Sequence, residues 1–233
     1  MKLDNIDNKY SSKTYKFFDL LYKLLVVNLL VIILSLPIVT MFPAIVAATA
    51  TLKNNLTETA IFKPYFKNFK TYFLKSFLMG ICFLLAFAAG IYGYLFWIYQ
   101  DFGDNKIMEI FAQIGIVVIV ICLIIFTFII LHIPLLLITF NRLTNMQIFK
   151  TSIYISVRYF LTTLIMLVAA SIVIGVLISC LFVPWILGIW MIIGISLPLY
   201  LIVKITTPIY YRFAKIDFKK INEKIEEEIR NDK

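Results

Sequence analysis

Apolar residues run through this chain in long unbroken stretches, and the charged residues are confined to the gaps between them. No Asp, Glu, Lys or Arg occurs in residues 24–52, 76–100, 110–141 or 159–203. These runs are continuous rather than alternating with period two, so they predict helices and not the strands of a barrel. A hydrocarbon core about 30 Å thick needs roughly 20 helical residues at about 1.5 Å each. Each window is therefore long enough to span a bilayer, and the last is long enough to span twice. The pattern predicts an all-α, polytopic helical membrane protein.

The first window carries its own interruption, Ser35-Leu36-Pro37-Ile38-Val39-Thr40-Met41-Phe42-Pro43. Pro37 disrupts a continuing helix, and Pro43 suits the first turn of a new one. A helix up to about Leu36, a tight apolar tip and a second helix from about Pro43 to Leu56 are expected. Further spans are expected from about Tyr72 to Tyr99, from Ile107 to Phe140 with a kink at Pro134, and from Tyr159 to Phe182. After a turn at Pro184 and Trp185, a last helix runs to about Tyr211. Tyr92, Tyr94, Trp97 and Tyr99 form an aromatic cluster suited to a membrane interface.

The basic residues decide between two topologies. Lys2, Lys9, Lys13, Lys16 and Lys23 precede the first window, and Lys53, Lys63, Lys67, Lys70 and Lys75 follow it. A single crossing would put these two basic flanks on opposite sides, against the positive-inside rule. If residues 24–52 instead enter and return on one side, every Lys and Arg except Lys106 lies at or toward the cytoplasmic side, with Lys204 snorkelling toward it. Four full transmembrane helices plus an N-terminal re-entrant hairpin follow, with both termini cytoplasmic. The alternative is one proline-kinked span, five transmembrane helices in all, and an external N-terminus.

The organisation predicted is a single membrane domain over residues 1–218, followed by a charged cytoplasmic tail at 219–233. Within the domain, residues 1–23 form a basic amphipathic segment, 24–56 the broken hairpin, 57–71 an interfacial basic helix and 72–211 the four spans. Lys9, Lys13 and Lys16 share a helical face, as do Lys63, Lys67 and Lys70 beside Phe62, Phe66, Phe69 and Phe73. Such faces suit anionic lipid headgroups or a docked partner protein.

Composition then narrows the function classes. With 62% hydrophobic and 15% charged residues, against about 45–50% and 25% in ordinary soluble domains, the chain does not read as soluble. Its formal charge of +9 flanks apolar spans and points to lipid rather than nucleic acid. Cys82, Cys122 and Cys180 lie inside apolar windows without ligand spacing, and read as small hydrophobes. The Ala48-Thr49-Ala50 sequence resembles a signal-peptidase site, but cleavage there would export a basic segment.

No nucleotide-binding glycine motif, metal-ligand cluster or catalytic triad can be assembled, since His132 is the single histidine. No cofactor and no enzymatic activity are expected. The apolar windows hold no acid to serve as a proton relay, which disfavours a coupled transporter. Histidine within a membrane is a functional candidate by default, although a hydrogen bond to a carbonyl freed by Pro134 accounts for His132 more simply. The least economical features for mere anchoring are Asn28 and the tip, Ser35, Pro37, Thr40 and Pro43. These are the candidate functional residues, with Lys63, Lys67 and Lys70 as candidate lipid or partner contacts.

Asn28-Leu29-Leu30, Ser35 through Thr40, Pro43-Ala44 and Ala47-Ala48 resemble the N-terminal signature of the YesL-like family of bacterial membrane proteins, a domain of unknown function. Phe66-Lys67-Asn68-Phe69-Lys70, with Lys75 and Gly80, is similar to that family's next block. After Pro134 the chain departs from the family pattern of an Arg and an Asp around a Phe, carrying Thr139-Phe140-Asn141 with Arg142 displaced. The resemblance implies a multi-pass protein of a Firmicutes-type cell membrane, in a family often encoded beside oligosaccharide importers. It favours an accessory or regulatory role in carbohydrate uptake, with permease subunits of an ABC-type sugar importer as partners. The alternative is an uncoupled small-solute channel or facilitator with the Pro37–Pro43 tip lining its path.

Overall fold

The computed structural model describes residues 13–58, 60–100, 106–141, 143–180 and 182–212. The regular structure among the described residues is helical, without strands. The expectations for Lys2, Lys9, Arg142 and the 219–233 tail lie outside the described residues.

Helix α1 (Lys13–Leu34) ends where the sequence carries Ser35 and Pro37. A single 3-10 turn (Ile38–Thr40) forms the tip, and α2 (Met41–Asn54) returns with Pro43 in its first turn. The Thr40 hydroxyl closes the tip by donating to the carbonyls of Leu34 at 2.6 Å and Pro37 at 2.8 Å. This reproduces the expected helix, tip and helix, and one bond settles the direction of the second arm. Lys23 Nζ donates to the Leu56 carbonyl at 2.8 Å while pairing with Asp19 at 2.6 Å.

The two ends of the hairpin are therefore neighbours. A proline-kinked single crossing would hold Lys23 and Leu56 apart by the bilayer thickness, about 30 Å. By length and composition alone, five helices could cross, α1 among them. The charged first half of α1, however, carries Lys13, Lys16, Asp19 and Lys23. Only residues 24–34 remain uncharged, about 16 Å of helix, and α2 measures about 21 Å. Neither arm is long enough to cross a hydrocarbon core of about 30 Å.

Four full spans follow: α3 (Phe62–Tyr99), α4 (Lys106–Thr139), α6 (Phe160–Ser179), and the pair α7 (Trp185–Ile193) and α8 (residues 196–212). The sequence reading separated an interfacial helix at 57–71 from the span after it. Instead, Lys63, Lys67 and Lys70 occupy the opening turns of the continuous 38-residue helix α3. Residues 66–79 contain neither Gly nor Pro, so nothing stops the helix there. Its length, about 57 Å, exceeds the hydrocarbon thickness and leaves its basic start outside the core.

An unexpected helix, α5 (Asn145–Arg158), joins α4 to α6. A capping box starts it: the Thr144 hydroxyl accepts from the Gln147 amide, and the Gln147 side chain accepts from the Thr144 amide.

Packing centres on α2, whose Ala44, Val46, Ala47, Ala48 and Ala50 are completely buried. Small side chains let α3 approach on one side and α1 on the other, forming two hydrophobic clusters that meet at this helix. Gly80 of α3 accommodates the tip, because a Cβ there would stand 2.8 Å from Phe42 Cβ. Cys82 and Cys122 are exposed on the outer surface as free thiols, in keeping with lipid-facing small hydrophobes.

Candidate functional site

The predicted tip residues divide into a structural splice and a cavity wall. Asn28 is completely buried against the junction of α7 and α8. Its Nδ2 donates to the carbonyls of Trp190 at 3.1 Å and Met191 at 2.7 Å. Its Oδ1 accepts from the amides of Ile195 at 2.8 Å and Ser196 at 3.0 Å.

The last span breaks at Gly194 and Ile195. Pro198 lacks the amide that would bond four residues back to Gly194, so a regular helix cannot run through. Gly194 is also the one residue type that fits: an added Cβ would lie 2.5 Å from both the Trp190 carbonyl oxygen and its Cδ1. The side-chain amide of Asn28 substitutes for the helix rungs lost at this break. An amide is suited to it because it offers two donors and an acceptor with two lone pairs.

His132, also fully buried, links three helices. Its Nδ1 is hydrogen-bonded to the Tyr210 hydroxyl of α8, and its Nε2 to Thr163 Oγ1 of α6 at 2.8 Å. The expected bond to a carbonyl freed by Pro134 is not what it makes. Carbonyls near the proline are served from α5 instead, where Ser152 donates to Ile129 at 2.6 Å and Ser156 to Phe128 at 3.2 Å. Ser152, Ser156, Thr163 and Tyr210 were not singled out from sequence. The i, i+4 spacing of Ser152 and Ser156 was the available signal.

Polar contacts gather again at the basic end. Lys53 Nζ donates to Thr139 Oγ1 at 2.6 Å and lies 5.3 Å from the Tyr211 ring centroid. Lys75 Nζ donates to the carbonyls of Asn141 at 2.7 Å and Leu143 at 3.3 Å. Asn68 Nδ2 donates to Thr51 Oγ1 at 3.0 Å and Asn55 Oδ1 at 3.1 Å. Lys63, Lys67 and Lys70 remain exposed beside Phe62 and Phe66, whose ring centroids are 4.9 Å apart.

Beside the tip lies a cavity of about 480 Å³. The tip contributes Val39 and Phe42, α3 contributes Leu84, α4 Pro134, α6 Ala170 and α8 Pro198. Thr49 is the lining side chain with a hydroxyl, and it is committed to the Ile45 carbonyl at 2.7 Å. Pro37 and Pro43 shape the tip without lining the space, Thr40 closes it, and Ser35 Oγ is buried without a protein partner. Among the described residues, no group of three His, Cys, Asp or Glu side chains is placed to hold a metal.

No curated protein and no solved structure matches the chain. Residues 24–94 match the model of DUF624, a family of proteins of unknown function. That stretch runs from Leu24, just after the last charged residue of α1, almost to the end of α3, so the similarity falls on the hairpin, its tip and the first long helix after it.

Proposed function

We propose that this chain is a non-enzymatic integral protein of the bacterial cell membrane, an accessory or regulatory component of oligosaccharide uptake that contacts an ABC-type permease. The observation that carries the reading is how the buried polar side chains are spent. Asn28, His132, Ser152 and Thr163 each hydrogen-bond protein partners on other helices or turns. They hold the bundle together, and among the described residues none of the three buried polar side-chain atoms without a protein partner, Ser35 Oγ, Trp190 Nε1 and Ser196 Oγ, belongs to a residue lining the cavity.

The apolar cavity also weighs against the small-solute facilitator, since a sugar there would lose its water without gaining hydrogen bonds. The carbohydrate part of the reading is supported by the resemblance of residues 28–80 to YesL-like proteins. The exposed Lys63, Lys67 and Lys70 face, at the end where both termini would be cytoplasmic, suits contact with acidic protein surface or anionic lipid.

Tagged full-length protein purified from its native membrane should bring down permease subunits. Reversing the charge of Lys63, Lys67 and Lys70 together should reduce that recovery while leaving membrane insertion intact. Recovery of lipid alone would contradict the proposal, as would rapid sugar flux through reconstituted vesicles.

A further inference from the structure

We propose that the cavity beside the hairpin tip is a binding site for one acyl chain of a phospholipid from the leaflet opposite the basic end. The inference is independent of the permease reading.

Depth is the first argument. Leu84 lies nine residues along α3 from Lys75, Ala170 twelve residues beyond Arg158, and Pro198 six residues before Lys204. At about 1.5 Å per residue these distances are about 14, 18 and 9 Å, so the cavity lies well inside the hydrocarbon. The tip and the flank of α2, through Phe42, Ile45 and Thr49, form one wall of it, and α3, α4, α6 and α8 form the others.

Chemistry is the second. Thr49 donates its hydroxyl to its own helix and the other lining side chains are apolar, so an incoming polar group would find few partners, and burying such a group unpaired is costly. Apolar cavities stay dry and take apolar guests. Size is the third argument. The volume of about 480 Å³ compares with about 150 Å³ for a cavity that holds benzene, leaving room for roughly fifteen to twenty carbon atoms. That is the length of a lipid chain. Access is the fourth: the rim residues Ile38, Leu84 and Ile174 are exposed on the outer surface, so a chain can slide in sideways without its headgroup leaving the interface.

The test uses the purified full chain in nanodiscs containing a phospholipid with a photoreactive diazirine near the end of one acyl chain. Adducts are mapped by mass spectrometry. Met166 and Leu135 line the cavity but are 2% and 1% exposed, so a chain within the cavity should label them. Ile121 and Ile125 on the outer surface should be labelled by any surrounding lipid.

Ala170→Phe, or the milder Ala170→Leu, should cut adducts at Met166 and Leu135 several-fold and leave those at Ile121 and Ile125 unchanged. Wild-type adducts confined to the outer surface would overturn the proposal without recourse to a variant. So would cavity adducts that ignore both substitutions. Labelling of Met166 by a diazirine-bearing isoprenyl phosphate but not by the phospholipid would overturn the choice of ligand.

Discussion

Asn28 has two donors and a two-lone-pair acceptor, and the broken last span engages all of them. Leucine at this position would leave the amides of Ile195 and Ser196 and the carbonyl of Met191 without their Asn28 partner in a dry interior, while the Trp190 carbonyl keeps its bond from the Gly194 amide at 2.7 Å. Interhelical hydrogen bonds within membranes contribute modestly on average, but orphaned groups add to the loss. Asn28→Leu should therefore lower the unfolding free energy by about 2 kcal/mol, read from steric trapping in bicelles. Asn28→Asp, which keeps the acceptor and removes the donors, should also destabilise. Glycines provide a paired comparison. Gly194→Ala forces a Cβ against Trp190 and should cost about 1–3 kcal/mol. Gly175→Ala meets open space and should be neutral or stabilise by up to about 1 kcal/mol. For His132, a double-mutant cycle with Tyr210→Phe and His132→Leu should return a coupling of about 1 kcal/mol. A coupling near zero would mean that the pair does not hold α4 to α8.

At the scale of the elements, the helix ends follow local chemistry while the helix partners do not. Removing the Thr144 hydroxyl should cost about 1 kcal/mol and raise hydrogen exchange first in the opening turn of α5. An unchanged exchange pattern would remove the cap from the account. The Thr144-to-Gln147 spacing was present in the sequence, but residues 145–158 carry Lys150 and Arg158 and read as a connection. Periodic charge drew attention away from the cap. Pro37 and Pro43 made the tip legible because they interrupt a window flanked by lysines on both sides. Gly194 and Pro198 lie deep in a charge-free stretch, where hydropathy does not register a break. Lys63, Lys67 and Lys70 suggested a separate interfacial helix because amphipathicity changes near residue 71, although a change of solvent does not require a change of backbone. The roles of Asn28 and His132 depend on residues at least 31 positions away. Spacing along one helix carries no information about such partners.

For the whole molecule, the arrangement follows from a half-depth hairpin packed among four full spans. The short arms bring Lys23 beside Leu56, place Asn28 at the break of the last span and form one wall of the apolar cavity. An even number of complete crossings returns the chain to the face where it began. The most direct test is sidedness of single cysteines in a variant lacking Cys82, Cys122 and Cys180, with Lys16→Cys and Lys63→Cys examined separately. A membrane-impermeant maleimide applied outside intact cells should label neither, and both should react once the membrane is opened. Labelling of one position but not the other from outside would show that residues 24–52 cross the bilayer, contradicting the hairpin.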